Sequence, residues 1–381
     1  MRVLNVCSSL DLKTGGGTAE RTFQMSRYLS RHGSACTVLT LRIGLDAGRI
    51  DALAPANVVA LDWLWKRFYV PRLSWKTVYR LVDSADVVHL IGHWGVLSAF
   101  AYLAARLTGK PYVVCPAGAL PLFGRSAWLK RLYNLLVGKA MIRNATAWIA
   151  VTSAEFTHFE SYGIPATRVA VIPNGVSQED FPPIDRTSFL NEHGLADTPM
   201  ILFMGRLNPI KGPDLLLEAF ALVVDRLPAH QLIFAGPDGG MLTDLRLRTE
   251  ELGLGHRVHF LGHVEGAAKS GAYRCAHLLV VPSRQEAMSI VALEAGICGT
   301  PVLLTDQCGF SDISKIDTRL EVSATAEAIA EGMVSLLTDP VVLENISTVW
   351  KYFVMTNYAW EVIAPRYLCL YRKILTRKDR P

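Results

Sequence analysis

Short apolar runs alternate with longer amphipathic stretches along the whole chain. The runs are rich in Val, Ile and Leu and predict buried strands, whereas apolar residues three and four apart predict helices. The predicted strands cover residues 3–6, 35–40, 58–61, 87–91, 112–115 and 148–151, and then 200–204, 231–235, 258–261, 278–281 and 302–305. The predicted helices include residues 19–31, 213–227, 242–252, 267–275, 289–297, 324–338 and 360–376. This alternation predicts an α/β fold with doubly wound parallel sheets.

The chain of 381 residues exceeds what one hydrophobic core usually holds. Its pattern changes near residue 172, where a strand ends in a turn, and residues 177–198 are polar and contain Pro182 and Pro183. We therefore predict one domain over residues 1–176, a second over 177–360, and a C-terminal helix over 361–381.

Two carboxylates frame the unit of strand, loop and helix over residues 278–303. Glu286 precedes the predicted helix and Glu294 lies within it. At 1.5 Å per helical residue they are about 12 Å apart, too far for a glycosidase pair, which works at about 5–9.5 Å. The spacing suits two polyols at the ends of one elongated ligand. The helix start between them favours an anion such as a diphosphate.

Two cations follow the strand over residues 200–204. Arg206 and Lys211 lie at its carboxyl end, where ligands bind in open α/β sheets, and both side chains suit phosphate oxygens. Either cation alone could be an ordinary loop charge. Together with Glu286 and Glu294 on the same sheet, they indicate an anionic, polyhydroxylated ligand.

Two further candidates follow strands in the first half. Gly15, Gly16 and Gly17 lie between the strand over 3–6 and a helix, so they form either a phosphate-approaching loop or a flexible turn. They match neither the Walker pattern nor G-x-G-x-x-G. His93 follows the strand over 87–91, where a lone histidine is either structural or functional.

Composition and charge indicate the class of protein and the partners it could bind. Half the residues are apolar and 19% are charged, which is typical of a packed globular protein and excludes a disordered or low-complexity chain. The net charge is +5, but residues 1–175 hold 20 Lys and Arg against 9 Asp and Glu, and residues 176–381 hold 19 against 25. The first half therefore either meets an anionic partner or has an ordinary solvated basic surface.

Two segments of the first half combine basic and aromatic residues, over residues 62–80 and 123–143. Each suits a helix at a membrane interface, an acceptor site where sugars stack on aromatic rings, or an amphipathic helix that covers the core. The residues concerned are Trp63, Trp65, Lys66, Arg67, Phe68, Tyr69, Arg72, Trp75, Lys76, Tyr79 and Arg80, then Arg125, Trp128, Lys130, Arg131, Tyr133, Lys139 and Arg143.

The cysteines and the apolar stretches of the sequence indicate the cellular compartment of the protein. Seven scattered cysteines without metal-ligand spacing predict a reduced cytoplasmic protein without structural zinc. The N-terminus lacks signal-peptide character, and the longest uncharged stretch, over 90–105, is too short for a membrane span and suits a core helix.

These residues resemble glycosyltransferase family 4, which comprises retaining, nucleotide-sugar-dependent enzymes of the GT-B fold. The similar segments are residues 15–17, 172–176, 205–220, 260–264, the E-x7-E unit over 286–294, and 299–302. The resemblance implies two Rossmann-like domains facing a cleft, the first binding the acceptor and the second the nucleotide sugar, with the C-terminal helix returning to the first domain.

The resemblance also implies a role for each candidate residue. Arg206 and Lys211 would hold the donor diphosphate, Glu286 the hydroxyls of the transferred sugar, and Glu294 the ribose. His93 would orient or polarise the transferred sugar. The remaining implied contacts are the backbone of Met288, Ser289, Ile290 and Val291 and the loop of Gly16 and Gly17 for the phosphates, and His263 with Val264 for the base.

The implied reaction is a metal-independent, retaining hexosyl transfer, in which the leaving phosphate helps to take the acceptor's proton. No D-x-D motif is present in the sequence. We expect a UDP-sugar such as UDP-glucose rather than GDP-mannose, and a glycan or lipid-linked oligosaccharide acceptor of exopolysaccharide or cell-envelope polysaccharide synthesis. We also expect peripheral contact with an anionic membrane and no nucleic-acid partner.

Two departures from the family pattern bear on the identity of the sugar. Ala287, Met288 and Ser289 replace the usual aromatic residue or proline and glycine, and residues 306–312 lack a double glycine. The alternatives are a GT-B nucleotide-sugar epimerase and a non-catalytic protein that binds sugar nucleotides.

Overall fold

A computed structural model of the chain describes residues 1–72, 74–122, 127–310 and 312–378. The chain divides into two compact units: unit 1 comprises Met1–Gly175 with Trp360–Pro381, and unit 2 comprises Val176–Ala359. These divisions lie one residue from the predicted boundaries. Arg125, Ser311 and the end of the basic C-terminal tail fall outside the described residues, as do the side chains of Arg67, Arg377 and Lys378.

Unit 1 is built on a seven-stranded parallel sheet with the order β3-β2-β1-β6-β7-β8-β9. The order reverses between β1 and β6, so the carboxyl ends of these two strands flank the crevice where ligands bind in such sheets. The strands are β1 (Arg2–Val6), β2 (Ala35–Leu41), β3 (Asn57–Leu61), β6 (Val87–Ile91), β7 (Tyr112–Cys115), β8 (Ala147–Ala150) and β9 (Val169–Val171), and β4 (Trp63–Trp65) and β5 (Val70–Pro71) form a separate antiparallel pair.

The helices of unit 1 cover both faces of this sheet, so its central strands are continuous apolar runs with both faces buried. They are α1 (Leu12–Arg31), α2 (Ala47–Asp51), α3 (Trp75–Ser84), α4 (Val96–Thr108), α5 (Ala127–Tyr133), α6 (Lys139–Arg143), α7 (Phe156–Ser161) and the C-terminal helix α15 (Trp360–Lys378).

The C-terminal helix α15 is part of unit 1 because it buries large side chains against helix α1. Trp360 stacks on Tyr28 with ring centroids 6.1 Å apart. The buried Arg21 guanidinium donates to the Asn174 side chain and the Ile172 carbonyl, both at 2.7 Å, and to the Tyr367 hydroxyl at 2.5 Å. Through Arg21, helix α1 therefore holds both residues 172–174 and the C-terminal helix α15.

Unit 2 has a six-stranded parallel sheet with the order β12-β11-β10-β13-β14-β15, which reverses between β10 and β13. Its strands are β10 (Met200–Met204), β11 (Gln231–Ala235), β12 (Val258–Gly262), β13 (Leu278–Val281), β14 (Val302–Thr305) and β15 (Glu321–Val322). Its helices are α8 (Arg186–Glu192), α9 (Pro213–Val223), α10 (Leu242–Glu251), α11 (Gly266–Cys275), α12 (Ile290–Cys298), α13 (Ala326–Leu337) and α14 (Pro340–Tyr358).

The predicted fold class is confirmed, since each unit has a doubly wound parallel sheet of the Rossmann type. The two ends of unit 2 lie side by side, because the Val176 backbone N–H donates to the Tyr358 carbonyl at 2.9 Å. The chain therefore enters and leaves unit 2 at neighbouring residues.

Three local features differ from the predictions or were not predicted. Helix α1 starts at Leu12 rather than at residue 19 and consists of two helical segments that meet at a kink at Gly16, where φ is +54°, so the predicted turn is confined to Gly16. Within residues 62–80, helix α3 covers the core as one alternative expected, but the β4–β5 hairpin before it was not predicted. Strand β15 and helix α14 were not predicted, although α14 has an Asp339 N-cap that accepts a hydrogen bond from the Val342 N–H.

Candidate functional site

The loops after β10 and β13 meet at the switch point of the unit 2 sheet. Gly212 ends the first loop with φ of +67°, and a Cβ there would collide with the Pro282 carbonyl of the second loop. Only glycine permits this close approach. The loop that carries Arg206 and Lys211 is thereby held against the loop that carries Glu286.

Lys211 and Glu286 form an ion pair across the two loops. The Lys211 Nζ lies 2.8 Å from Glu286 Oε1, and the Ser283 hydroxyl donates to the same oxygen at 2.5 Å. The Glu286 side chain is 8% exposed, whereas that of Lys211 is 32% exposed. The structure thus brings two predicted site residues into direct contact, with the carboxylate below and the ammonium group toward solvent.

A second ion pair, which the sequence analysis missed, fixes the same loops. The Arg284 guanidinium donates to both carboxylate oxygens of Asp214, at 2.9 and 2.6 Å, and to the Pro209 carbonyl at 2.8 Å. Burial raises the pKa of Asp214, but the hydrogen bonds and charge of Arg284 outweigh it, and the net pKa is lowered. Arg284 therefore links the loop of Arg206 and Lys211, through Pro209, to the start of helix α9.

Helix α12 begins at Ile290, four residues after Glu286 and one residue from its predicted start. Its N-cap residue Ser289 is extended and fully buried, and the Ser289 Oγ has no hydrogen-bond partner among the described residues. The Ser289 N–H donates to the Cys308 carbonyl at 3.2 Å. Met288 is buried beside it, and Ile290 and Val291 are half-buried. The first turn of α12 therefore presents its positive dipole end beside the Lys211–Glu286 pair.

Glu294 lies inside α12 and is already engaged by α11. The Lys269 Nζ lies 2.6 Å from Glu294 Oε1, and the Tyr273 hydroxyl donates to Oε2 at 2.6 Å. Burial, and then the Glu294 charge, raise the pKa of Tyr273, so this hydroxyl stays protonated and donates. Lys269 and Tyr273 were not predicted from the sequence, although a cation and a hydroxyl four residues apart share one helix face.

The remaining predicted residues of unit 2 follow strands β10 and β12 at the same edge of the sheet. Arg206 is half-buried, with Gly239 packed against its side chain. His263 and Val264 follow the edge strand β12, where Val264 is buried and the His263 Nε2 lies 3.3 Å from the exposed Glu265 carboxylate. They share the carboxyl edge of the sheet with the Lys211–Glu286 pair.

In unit 1, the glycine segment and His93 occupy the equivalent switch point, after β1 and β6. The two loops are in contact, because a Cβ on Gly95 would lie 2.7 Å from the Ser8 hydroxyl. At Gly16 the backbone has the left-handed φ that favours glycine. Gly16, Gly17 and His93 therefore gather at one end of the unit 1 sheet.

His93 is 2% exposed and is held by neutral groups. Its Nε2 lies 3.0 Å from Asn134 Oδ1, and its ring meets Trp94, Tyr133 and Tyr162 edge to face. Burial lowers the pKa of His93 to about 4, so the ring is neutral near pH 7. A neutral imidazole in this place can orient a hydroxyl group, but it offers no positive charge.

Other site classes lack support in the described parts of the chain. No group of three or more His, Cys, Asp and Glu side chains there could hold a metal ion. Within the same residues, no helix has the length and apolarity needed to cross a membrane. All seven cysteines are free, and Cys369 alone is exposed.

Comparison with known proteins matches both units. Residues 16–175 match a family model described as Glycosyl transferase 4-like domain, and residues 185–350 match one described as Glycosyl transferases group 1. A D-inositol 3-phosphate glycosyltransferase of Gordonia bronchialis is 35% identical over 78% of this chain and 70% of its own length. Another, from Actinosynnema mirum, is 30% identical over 76% of this chain and 75% of its own.

A solved structure extends the similarity to the fold of the whole chain. The Anabaena protein HepE in complex with UDP and glucose has a TM-score of 0.79 at 19% identity, covering 98% of this chain and 100% of HepE. The expected family resemblance and GT-B fold are confirmed. The chain therefore belongs to glycosyltransferase family 4, group 1, whose members transfer a sugar from a nucleotide sugar to an acceptor.

Proposed function

We propose that this protein transfers glucose from UDP-glucose to a glycan or lipid-linked oligosaccharide, with retention of configuration and without a metal ion. The observation that carries the proposal is the Lys211–Glu286 ion pair at the switch point of unit 2, beside the start of α12. It combines a cation for the diphosphate with a carboxylate for sugar hydroxyls. Family membership favours this function over an epimerase or a non-catalytic protein.

The reaction breaks the bond between the anomeric carbon and the diphosphate oxygen, so UDP gains negative charge as it leaves. Lys211, Arg206 and the first turn of α12 stabilise this charge, and such fixed groups lower the barrier because they need no reorganisation. Lys211 and Ser283 both engage Glu286 Oε1, which leaves Oε2 to accept hydrogen bonds from the sugar. The leaving phosphate accepts the proton of the acceptor hydroxyl on the same face.

Different observations support the proposed donor and the proposed acceptor. HepE was solved with UDP and glucose, which favours UDP-glucose over GDP-mannose. The relatives are named for D-inositol 3-phosphate, a phosphorylated polyol. A lipid-linked oligosaccharide on a diphosphate offers the same phosphate chemistry to the basic first half. Both acceptor types therefore belong in the test.

The experiment incubates the purified protein with UDP-glucose or GDP-mannose and each acceptor, and identifies products by mass spectrometry. We expect a mass gain of one hexose with UDP-glucose on the lipid-linked acceptor, and equal yields with and without EDTA. A product from inositol phosphate alone would refute the acceptor assignment. Loss of activity in EDTA, restored by a divalent ion, would refute metal independence.

We further propose that unit 1 binds the anionic cytoplasmic face of the plasma membrane as a peripheral protein. The helical segment over residues 127–143 exposes an apolar stripe, in which Trp128 is 67%, Leu135 80% and Leu136 73% exposed. Lys139 and Arg131 are exposed on the same segment. Rings and aliphatic chains flanked by basic residues suit an interface with anionic lipids, where each basic residue contributes about 1 kcal/mol.

The two basic aromatic segments differ in this respect. Helix α3 of the first segment buries Val78 and Val82, so it covers the core as one alternative expected, while the hairpin before it exposes Trp63 and Trp65. The second segment carries the longer exposed stripe. It is therefore the main candidate for membrane contact.

Co-sedimentation with phosphatidylglycerol-containing vesicles tests this surface. We expect binding at low salt that weakens at high salt, and loss of binding in a variant with Trp128, Leu135 and Leu136 changed to Ser. The matched control changes the equally exposed Leu247 and Val341 of unit 2 to Ser and retains binding. Wild-type protein that stays in the supernatant at low salt would refute membrane contact and leave the transferase proposal intact.

A further inference from the structure

The helical segment over residues 127–143 is interrupted at the point where it faces His93. Helices α5 and α6 are joined by a π-helical turn over Asn134–Gly138. Such turns add a residue to the helix and are frequent at functional sites. The turn directs Asn134 into the core while Leu135 and Leu136 remain at the surface.

Gly138 makes room for this inward side chain. A Cβ at Gly138 would collide with Asn134 Oδ1 and would lie 2.9 Å from the Tyr133 ring. The backbone of the turn is therefore fitted to the Asn134 amide. Because Gly138 has ordinary helical dihedrals, the need for glycine here is steric rather than conformational.

Asn134 belongs to a chain of hydrogen bonds whose direction is fixed at one end. The Leu120 carbonyl can only accept, and the Tyr162 hydroxyl donates to it at 3.3 Å. The Tyr162 oxygen then accepts from the Asn134 amide nitrogen at 2.7 Å, which turns Asn134 Oδ1 toward His93. An amide oxygen only accepts, so His93 Nε2, 3.0 Å away, must carry the proton.

This direction leaves His93 Nδ1 as a lone-pair acceptor. The atom is buried and has no hydrogen-bond partner among the described residues. A buried acceptor without a donor is costly, and native structures retain few of them. His93 also follows β6 at the switch point of the sheet, where a ligand is expected.

We propose that Asn134 and Tyr162 are positioning residues that hold His93 as the neutral tautomer with its proton on Nε2, so that Nδ1 accepts a hydrogen bond from a sugar hydroxyl. The inference deepens the proposed transferase function and rests on it. In this tautomer His93 favours a sugar whose hydroxyl group can donate a hydrogen bond to Nδ1. A deoxy sugar, or a sugar with that hydroxyl methylated, cannot donate this bond.

The chain offers a matched control for each variant. Asn144 donates to the Tyr102 hydroxyl at 3.1 Å in the same unit, and His93 is not a partner in this pair. Asn134→Leu and Tyr162→Phe therefore remove the positioning chain, while Asn144→Leu and Tyr102→Phe remove the same kind of hydrogen bond elsewhere.

The first measurement is independent of activity. In wild-type protein labelled with ¹⁵N-histidine, His93 should show one protonated nitrogen, Nε2, and one unprotonated nitrogen, Nδ1. Asn134→Leu should give a mixture of tautomers, and Asn144→Leu should not. A single Nε2–H tautomer in Asn134→Leu would overturn the proposal. If that variant fails to fold, Tyr162→Phe and Gly138→Ala give the same readout.

The second measurement separates positioning from general destabilisation. We expect kcat to fall about 10- to 100-fold in Asn134→Leu, the range found for hydrogen-bond partners of metal-binding histidines, with UDP affinity within twofold of wild type. The Asn144→Leu control should keep kcat within twofold. Equal losses in both variants would refute positioning, whereas a wild-type protein without transferase activity would refute the proposed function and leave the tautomer result standing.

Discussion

The switch points of the two units occupy the same position in two similar sheets, yet they are built from different chemistry. In unit 2 the loops carry ion pairs, Lys211 with Glu286 and Arg284 with Asp214. In unit 1 the corresponding loops carry a neutral histidine enclosed by aromatic rings and amides. One site can stabilise a developing charge, and the other can only orient a neutral group.

Under the proposed function, the donor diphosphate binds in the half of the chain that has a net negative charge. Residues 1–175 carry the excess of Lys and Arg, and residues 176–381 carry the excess of Asp and Glu. The fixed cations at a sheet switch point nevertheless lie in the acidic half. Charges on a solvated surface are screened over about 10 Å, so the local pairs decide the chemistry of a site.

The largest expected effect comes from removing the cations of unit 2. We expect Lys211→Ala and Arg206→Ala each to lower kcat by a factor on the order of 10²–10³, as loss of one electrostatic stabiliser typically does. Steady-state kinetics with UDP-glucose would measure this. The control Arg226→Ala breaks the exposed ion pair with Glu331 in the same unit and should leave kcat unchanged. Near-normal turnover in both site variants would remove the charged site from the account.

The next expected effect is a loss of stability at low pH, caused by the buried neutral histidines of unit 1. Burial lowers the pKa of His93 to about 4, and burial with the charge of Arg21 lowers the pKa of His89 to about 3. An unfolded histidine titrates near 6.5, so the unfolded chain takes up protons first as the pH falls. Stability is therefore lost as the pH falls from about 6.5 to the folded-state pKa, about 4 for His93 and about 3 for His89, and at pH 5 each histidine costs about 2 kcal/mol.

Urea unfolding at pH 7 and pH 5 would measure this loss. The variant His89→Gln should lose less stability on acidification than wild type, by about 2 kcal/mol, because one proton-binding group is gone from the unfolded chain. The exposed His256→Gln serves as the control and should behave like wild type. Equal acid sensitivity in the wild type and His89→Gln would contradict the buried neutral state.

The smallest expected effect is on nucleotide affinity. Glu294→Gln removes the charge that Lys269 and Tyr273 hold in place, so the predicted hydrogen bond to the ribose loses its charged acceptor. We expect UDP to bind about tenfold more weakly, since a hydrogen bond to a charged group contributes about 1.5–3 kcal/mol. Isothermal titration would show it, with Glu331→Gln as the exposed control. Unchanged affinity would assign Glu294 a purely structural role.

Periodicity predicted most of the fold because the central strands are buried on both faces. Strands β6, β7, β10, β11, β13 and β14 have the bounds that their apolar runs predicted. Helix α14 was missed although Asp339, Pro340 and the buried Ile346, Trp350 and Val354 at helical spacing indicate it. The short hairpin over 62–71 was missed because basic and aromatic residues in it resemble an amphipathic helix.

The candidate site residues also differ in whether the local sequence indicates them. Glu286, Lys211 and Arg206 could be proposed from the sequence because charged side chains next to strand ends leave a local signal. Asn134 lies 41 residues from His93, and Tyr162 lies a further 28 residues along the chain, so no short spacing connects them. Their role depends on a π-turn and on hydrogen-bond direction, which are tertiary properties.

The proposed function requires the ion-paired site of unit 2 to support metal-free transfer from UDP-glucose with retention. The most direct test follows the anomeric proton of the transferred glucose by NMR, in EDTA, for wild type and Lys211→Ala. We predict an α-linked product from the α-linked donor, formed at least 100-fold more slowly by the variant, in line with loss of one electrostatic stabiliser. A β-linked product, or an epimerised UDP-sugar released without transfer, would contradict the account.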